Sequence, residues 1–192
     1  MSLSFAAIDV ETANPTYGSI CSIGVALVHN GVRVTTRSLL CRPPAAVGEF
    51  GVRNMQIHRI TPTMVADQPE FVDRLREVHT LVGDLPVIAY NAKFDMSNVE
   101  RACRFSGASL PEWEYGCALI WARQQLQLPS YKLNHVTRSL GVNLSNHHEA
   151  GADAAAAADV TIKLASVSGA RTIPELARAN RTRLSRLGGA RR

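Results

Sequence analysis

Four carboxylates and one histidine fall in three short segments of this 192-residue chain. The first segment, FAAIDVETAN, carries Asp9 and Glu11. The second, VIAYNAKFDMSNVERA, carries Asp95, and the third, HHEAGADAAAAADV, carries His148 and Asp153. Hard divalent cations take oxygen ligands, and phosphoryl chemistry uses two such ions about 3.5–4 Å apart. A histidine can accept a proton from water near neutral pH. Together these groups suit hydrolysis of a phosphodiester bond.

The local patterns around each group say how they would be held. Asp9 and Glu11 are two apart on an apolar strand, so their side chains share a face. Two neighbouring carboxylates there repel each other and are costly to desolvate, and a cation between them removes the penalty. The alternative is a strand end at which both reach solvent. Asp95 follows YNAKF at a strand-to-helix junction, where an acid is also favoured by the helix dipole. Ligand sites of α/β sheets gather at such carboxyl ends of strands. His148 and Asp153 are five apart, about 140° on a continuous helix. They can serve one site if His148 lies in the loop before the helix and Asp153 in its first turn, and the stretch NLSNHHEAG allows that. His147 and His148 can equally be a pair of exposed loop residues.

The elements that would position these groups read as follows. Residues 3–10 form a buried strand. Residues 19–29 and 32–40 are apolar and β-branched, joined by Asn30-Gly31, which favours a type I′ hairpin turn. Residues 41–60, with Pro43, Pro44 and several glycines, read as a loop with little regular structure. Apolar residues at helical spacing mark 69–82, closed by Gly83, and the buried strand LPVIAYN follows. A helix over 94–106 stops at Gly107. A strand at 115–118 leads into a helix near 118–126, a short helix spans 132–140, and an alanine-rich helix spans 151–168. The order β-β-β-α-β-α-β-α-α gives an α/β fold, a mixed five-stranded sheet with helices on both faces.

At this length the chain reads as a single domain with a proper core, 46% apolar and 19% charged. No apolar run approaches the roughly 18–20 residues of a membrane span, and no signal peptide is visible because the strand begins at once. The four cysteines show no zinc spacing and read as reduced thiols. A cytoplasmic protein is expected. The net charge of +5 is unevenly placed. Residues 170–192 hold seven arginines against Glu175, while 1–169 carry 14 basic and 15 acidic residues. The boundary therefore falls at 169, with a body over 1–169 and a basic C-terminal tail over 170–192. Such a tail is a footprint of a polyanion partner, or simply a solvated end.

The three segments together resemble the DEDDh (DnaQ-like) 3′–5′ exonucleases, the group that includes the proofreading subunit of bacterial DNA polymerase III. The first motif of that family stands here as Asp9-Val10-Glu11-Thr12, and the second as Asn91-Ala92-Lys93-Phe94-Asp95. The third, a histidine five residues before an aspartate, is His148 to Asp153, a spacing that selects His148 over His147. Glu149 stands where the sister group has tyrosine. The resemblance covers about residues 3–168.

It implies a ribonuclease-H-like fold and two Mg²⁺ or Mn²⁺ ions held by Asp9, Glu11, Asp95 and Asp153, with Asp9 bridging. It also implies His148 as general base and nucleoside 5′-monophosphates as products. Thr12 and Ala13 match the place that holds the terminal nucleotide, and Asn91 and His58 join them as candidate substrate-binding residues. His58 belongs to a His-x-Ile-Thr-like stretch and can instead play a structural part. The expected partner is a nucleic-acid 3′ end, single-stranded DNA before RNA, with a polymerase or replication partner reached through the tail. The alternative is a nucleic-acid-binding or polymerase-docking module with little activity of its own. Gln125-Leu126-Gln127-Leu128-Pro129 resembles a sliding-clamp-binding peptide, but its position inside the domain points to packing of both leucines.

Overall fold

The computed structural model describes residues 3–188. Three strands, β1 (Phe5–Thr12), β2 (Ile20–His29) and β3 (Val32–Leu40), form an antiparallel meander. Asn30 and Gly31 take φ of 54° and 77°, as a type I′ turn requires of both central residues. β4 (Val87–Ala89) lies parallel to β1, and β5 (Glu114–Cys117) lies parallel to β4. The helices are α1 (Val52–His58), α2 (Pro62–Val65), α3 (Phe71–Val82) and α4 (Ala92–Ser106), then α5 (Ala118–Gln125), α6 (Leu133–Leu140), α7 (Ala150–Ser168) and α8 (Ile173–Ala179). The expected mixed α/β sheet with helices on both faces is present. It has six strands rather than five, in the order β3-β2-β1-β4-β5-β6.

The sixth strand, β6 (Ser185–Arg186), pairs antiparallel with β5. A strand of two residues, one serine and one arginine, has no alternating apolar pattern and gives no strand signal. They extend because the sheet edge beside them offers unpaired backbone groups. The same region alters the expected basic tail. Ile173, Leu176 and Ala177 of α8 are buried, and Thr172 caps the helix by accepting from the Glu175 N–H. The described part of 170–192 is therefore packed on the body. Arg191 and Arg192 lie outside the described residues. The 41–60 stretch also holds more structure than expected, a 3₁₀ turn at Ala45–Val47 followed by α1. A seven-residue helix is too short to show periodicity, and its side-chain bonds to Thr12, described below, supply the support its sequence lacks.

Two apolar layers sandwich the sheet. On one face Ala6, Ile8 and Val10 of β1 pack with residues of α3 and α4. On the other, Phe5 and Ala7 pack with α5, α6, α7 and α8. The alternation places Asp9 and Glu11 on the α7 face. The approach of α7 is unusually close. Asp9 pairs with Gly24 across the ladder, and a Cβ on Gly24 would fall on the Ala150 carbonyl at the start of α7. Ala154, Ala156, Ala157 and Ala158 are buried with almost no exposure. Small side chains bring this helix onto the strands that carry the first two carboxylates.

Candidate active site

The carboxylates gather where the parallel strands end. Asp153 sits in the first turn of α7, one turn beyond the Ala150–Gly24 contact. Carboxylate oxygens of Asp9, Glu11 and Asp153 all lie within 4.8 Å of one another. Asp95, in the first turn of α4, reaches the same end of β1 from the other layer. Its Oδ1 accepts the Val10 N–H at 3.2 Å, and the residue is 3% exposed. Asp95 is thus tied to the backbone between Asp9 and Glu11 rather than placed in the tight trio.

The electrostatics of this cluster are unfavourable as it stands. Burial, then the charges of Asp95, Glu11, Asp153 and Glu149, push the Asp9 carboxyl well above the usual carboxylate range. Burial, then Asp153, Asp95 and Glu149, raise Glu11 to about 8. Asp95 is raised to about 7 by burial with a contribution from Asp153, against the lowering effect of its backbone hydrogen bonds. No lysine or arginine pairs with Asp9, Glu11, Asp95 or Asp153 among the described residues. Ser22, opposite Glu11 in the ladder, also keeps a buried hydroxyl without a partner. An all-oxygen donor set with excess negative charge and no lysine or arginine partner among the described residues fits hard divalent cations such as Mg²⁺ or Mn²⁺.

The histidines sit on a sharply bent loop. His148 has φ 71° and Asn146 φ 63°, left-handed conformations uncommon outside glycine. The bend stacks the two imidazoles at 3.8 Å. His147 Nδ1–H donates to both oxygens of Asp153, at 3.1 and 3.0 Å, whereas His148 donates its backbone N–H to Asp153 Oδ2 at 3.1 Å. Burial and the neighbouring His147 hold the His148 imidazole below its ordinary pKa, so the ring favours its neutral, proton-accepting form. Spacing alone selected His148, and the structure adds His147 as the side chain in direct contact with the cluster. The doubled histidine was its only mark in the sequence. Glu149 caps α7, accepting from the Gly151 and Ala152 N–H groups, so the residue at the sister group's tyrosine position holds the helix that bears Asp153.

The remaining candidates divide. Asn91 is exposed beside the histidines, at the start of α4. Thr12 is 8% exposed, and its carbonyl accepts from Asn54 Nδ2 and from His58 Nε2. His58 Nδ1 accepts the Ile60 N–H, so both ring nitrogens are engaged in buttressing the first motif. Ala13 is fully buried. Its N–H donates to the Ser19 carbonyl and its carbonyl accepts from the Gly51 N–H. Asn98 also escaped the sequence reading. Buried one turn after Asp95, it accepts the Gly18 N–H at 2.8 Å and ties the β1–β2 loop to α4. Leu126 and Leu128 pack against the core, and Tyr131 Oη bonds the backbone of both, so the clamp-like peptide is part of the domain. A larger cavity of about 1320 Å³ lies at the opposite end of the sheet, near Pro86 and Trp113, and contains none of these residues.

Fold and site together define a nuclease of the ribonuclease-H-like exonuclease class. Comparison with known proteins agrees. The RNase T exonuclease family model matches residues 6–161, and the chain belongs to that family. It is 29% identical over 167 residues to the PolC-type DNA polymerase III of Oceanobacillus iheyensis and 27% identical over 171 residues to that of Staphylococcus aureus. Each match covers 84% of this chain but spans 11% of the polymerase. Among solved structures, exonuclease X in complex with 5′-overhanging duplex DNA superposes with TM-score 0.75 at 26% identity, covering 92% of this chain and 99% of that one. Exonuclease I (TM-score 0.71, 19% identity, 85% of this chain and 41% of that one) shares the fold. So does a histone-mRNA 3′-exonuclease (0.72, 18%, 86% and 82%). No helix among the described residues is long and apolar enough to cross a membrane.

Proposed function

We propose that this exonuclease removes nucleotides from the 3′ end of a nucleic acid, DNA before RNA, and releases nucleoside 5′-monophosphates. The observation that carries the reading is the cluster of Asp9, Glu11 and Asp153, with Asp95 alongside, crowded and, among the described residues, without a lysine or arginine partner. These four carboxylates would hold two Mg²⁺ or Mn²⁺ ions. Bound there, such ions supply Lewis-acid polarisation of the phosphate and charge stabilisation at the leaving oxygen.

The chain's own residues do the rest. His148, held neutral on its bent loop, takes the proton of the attacking water at a ring nitrogen. His147 keeps Asp153 oriented through its Nδ1–H. Thr12, braced from behind by Asn54 and His58, and Asn91 border the place for the terminal nucleotide. The relatives are polymerases, and a replication partner for this chain follows as part of the same reading.

The test is hydrolysis of single-stranded DNA and RNA labelled on the 3′-terminal nucleotide, with Mg²⁺ or Mn²⁺, an EDTA control and the variants H148A and H147A. Release of labelled 5′-monophosphate, abolished by EDTA and reduced about 10²–10⁴-fold in kcat by H148A, supports the assignment. An H147A loss with H148A unaffected transfers the base role to His147. Absence of release from either strand by a folded protein rejects the reading.

A further inference from the structure

His147, His148 and Asp153 form a donor set of their own. One ring nitrogen from each histidine and a carboxylate oxygen of Asp153 all lie within 4.8 Å of one another. Asp153 therefore stands between two groups of different chemistry. Toward Asp9 and Glu11 the donors are oxygens alone, and toward the loop they are two imidazoles. Hard ions such as Mg²⁺ take the first kind of site, whereas a borderline ion such as Zn²⁺ favours the second.

The distances suit such an ion. Zinc holds imidazole nitrogen and carboxylate oxygen at about 2.0–2.2 Å, so two ligands of a tetrahedral ion stand about 3.3 Å apart. His147 Nδ1 is 3.1 and 3.0 Å from the two Asp153 oxygens, close to that span. A cation there takes the place of the shared proton, and the ring carries its proton on Nε2 instead. The third ligand needs a turn of one exposed ring. His148 stacks on His147 with centroids 3.8 Å apart and planes 17° from parallel, so its nitrogen reaches the ion when the ring tilts inward. The backbone beneath is already fixed. The His148 N–H donates to Asp153 Oδ2 at 3.1 Å, and the Asp153 N–H donates to the Glu149 carbonyl at 2.9 Å. Asp9 and Glu11 on the far side of Asp153, with no lysine or arginine partner among the described residues, add a field that attracts a cation.

We propose that His147, His148 and Asp153 bind Zn²⁺ in a site separate from the all-oxygen cluster, and that this binding inhibits hydrolysis. The inhibitory part rests on the exonuclease reading. The ion occupies the ring nitrogen with which His148 accepts the proton of the attacking water, and it engages an Asp153 oxygen otherwise turned to the carboxylate cluster. Hydrolysis then stops although Mg²⁺ is in excess.

The test follows Zn²⁺ binding to the full chain by competition with a chromophoric chelator in excess Mg²⁺, for the wild type, H147A, H148A and D9N. H147A and H148A should each weaken zinc at least about tenfold, while D9N changes it less than about threefold. Co²⁺ in place of zinc should show the visible bands of an imidazole-ligated ion, lost in H147A. In the hydrolysis assay zinc should slow the wild type at least about tenfold, and more Mg²⁺ should not restore the rate. The ratio of rates with and without zinc should move toward one in H147A, whatever its own rate. Zinc binding that D9N abolishes and the histidine variants retain puts the ion among the carboxylates and overturns the site. Failure to bind zinc, or inhibition relieved by Mg²⁺, overturns it too. Histidine-dependent zinc binding by a chain that hydrolyses neither DNA nor RNA would count against the exonuclease reading alone. Hydrolysis without such binding would count against the zinc site alone.

Discussion

Glu11 and Asp95 retain protons at pH values where ordinary carboxyls have lost them, about 8 and about 7 against 4.5 and 3.8. A carboxyl raised in this way binds its proton more tightly in the folded chain than in the unfolded one. In EDTA, stability is therefore greatest below about pH 4 as far as these groups are concerned, and falls as pH climbs toward about 8. Thermal unfolding measured across that range should show the decline. Added Mg²⁺ or Mn²⁺ should raise the midpoint most at pH 8, where the carboxylates are charged, and little at pH 5. D9N removes one of the mutually repelling charges and one proposed ligand at once. It is expected to raise the midpoint in EDTA at pH 8 while lowering hydrolysis by about 10²–10³-fold or more. A parallel fall in both quantities would mean that Asp9 is needed for folding and leave its proposed role unsupported.

At the scale of elements, the site depends on how near α7 comes to the sheet. Gly24 has no room for a methyl group, because the Ala150 backbone occupies that position, and Gly151 similarly abuts the backbone of Arg37. Neither partner is the flexible end of a side chain, so G24A forces the start of α7 away from β1 and β2. The expected cost is at least about 3 kcal/mol, with loss of hydrolysis even in protein that remains folded, since Asp153 moves with the helix. Chemical denaturation and a single-turnover assay on the same preparation check both parts. Full activity in G24A would show that the position of Asp153 does not depend on this contact. The loop before α7 makes a second contribution. Its left-handed residues Asn146 and His148 let two histidines stack beside Asp153, which a continuous helix over the same residues would not permit.

At the scale of the whole molecule, the C-terminal residues close the fold as well as carrying charge. Leu176 is fully buried, Trp121 Nε1–H donates to Thr182 Oγ1 at 2.9 Å, and β6 extends the sheet. L176A should cost about 2–5 kcal/mol, read from urea unfolding. Substituting the exposed Arg183 should cost almost nothing. A chain ending at residue 169 is accordingly expected to be less stable than the full chain. Loss of activity on such a deletion would report the lost packing before any lost contact with DNA.

Much of this architecture was open to reading along the chain, because its signals are local. The Asn30-Gly31 turn, the helix-stopping glycines 83, 107 and 141 and the apolar periods each act within a few residues. So does the spacing of Asp9 and Glu11, which puts them on one face of one strand. Other features have no local signal. β6 exists because a distant edge is open, α1 because Thr12 offers acceptors to Asn54 and His58, and the burial of α8 because α7 leaves an apolar surface for it. The same holds for the contacts that give the site its character. Only the packed chain brings His147 onto Asp153 and ties Asp95 to the Val10 N–H. Backbone and side-chain identity dictate turns and periods over a few ångströms of chain. The pKa of a carboxyl and the reach of an imidazole depend instead on burial and on charges contributed by residues remote in sequence, and these exist only after the layers have closed.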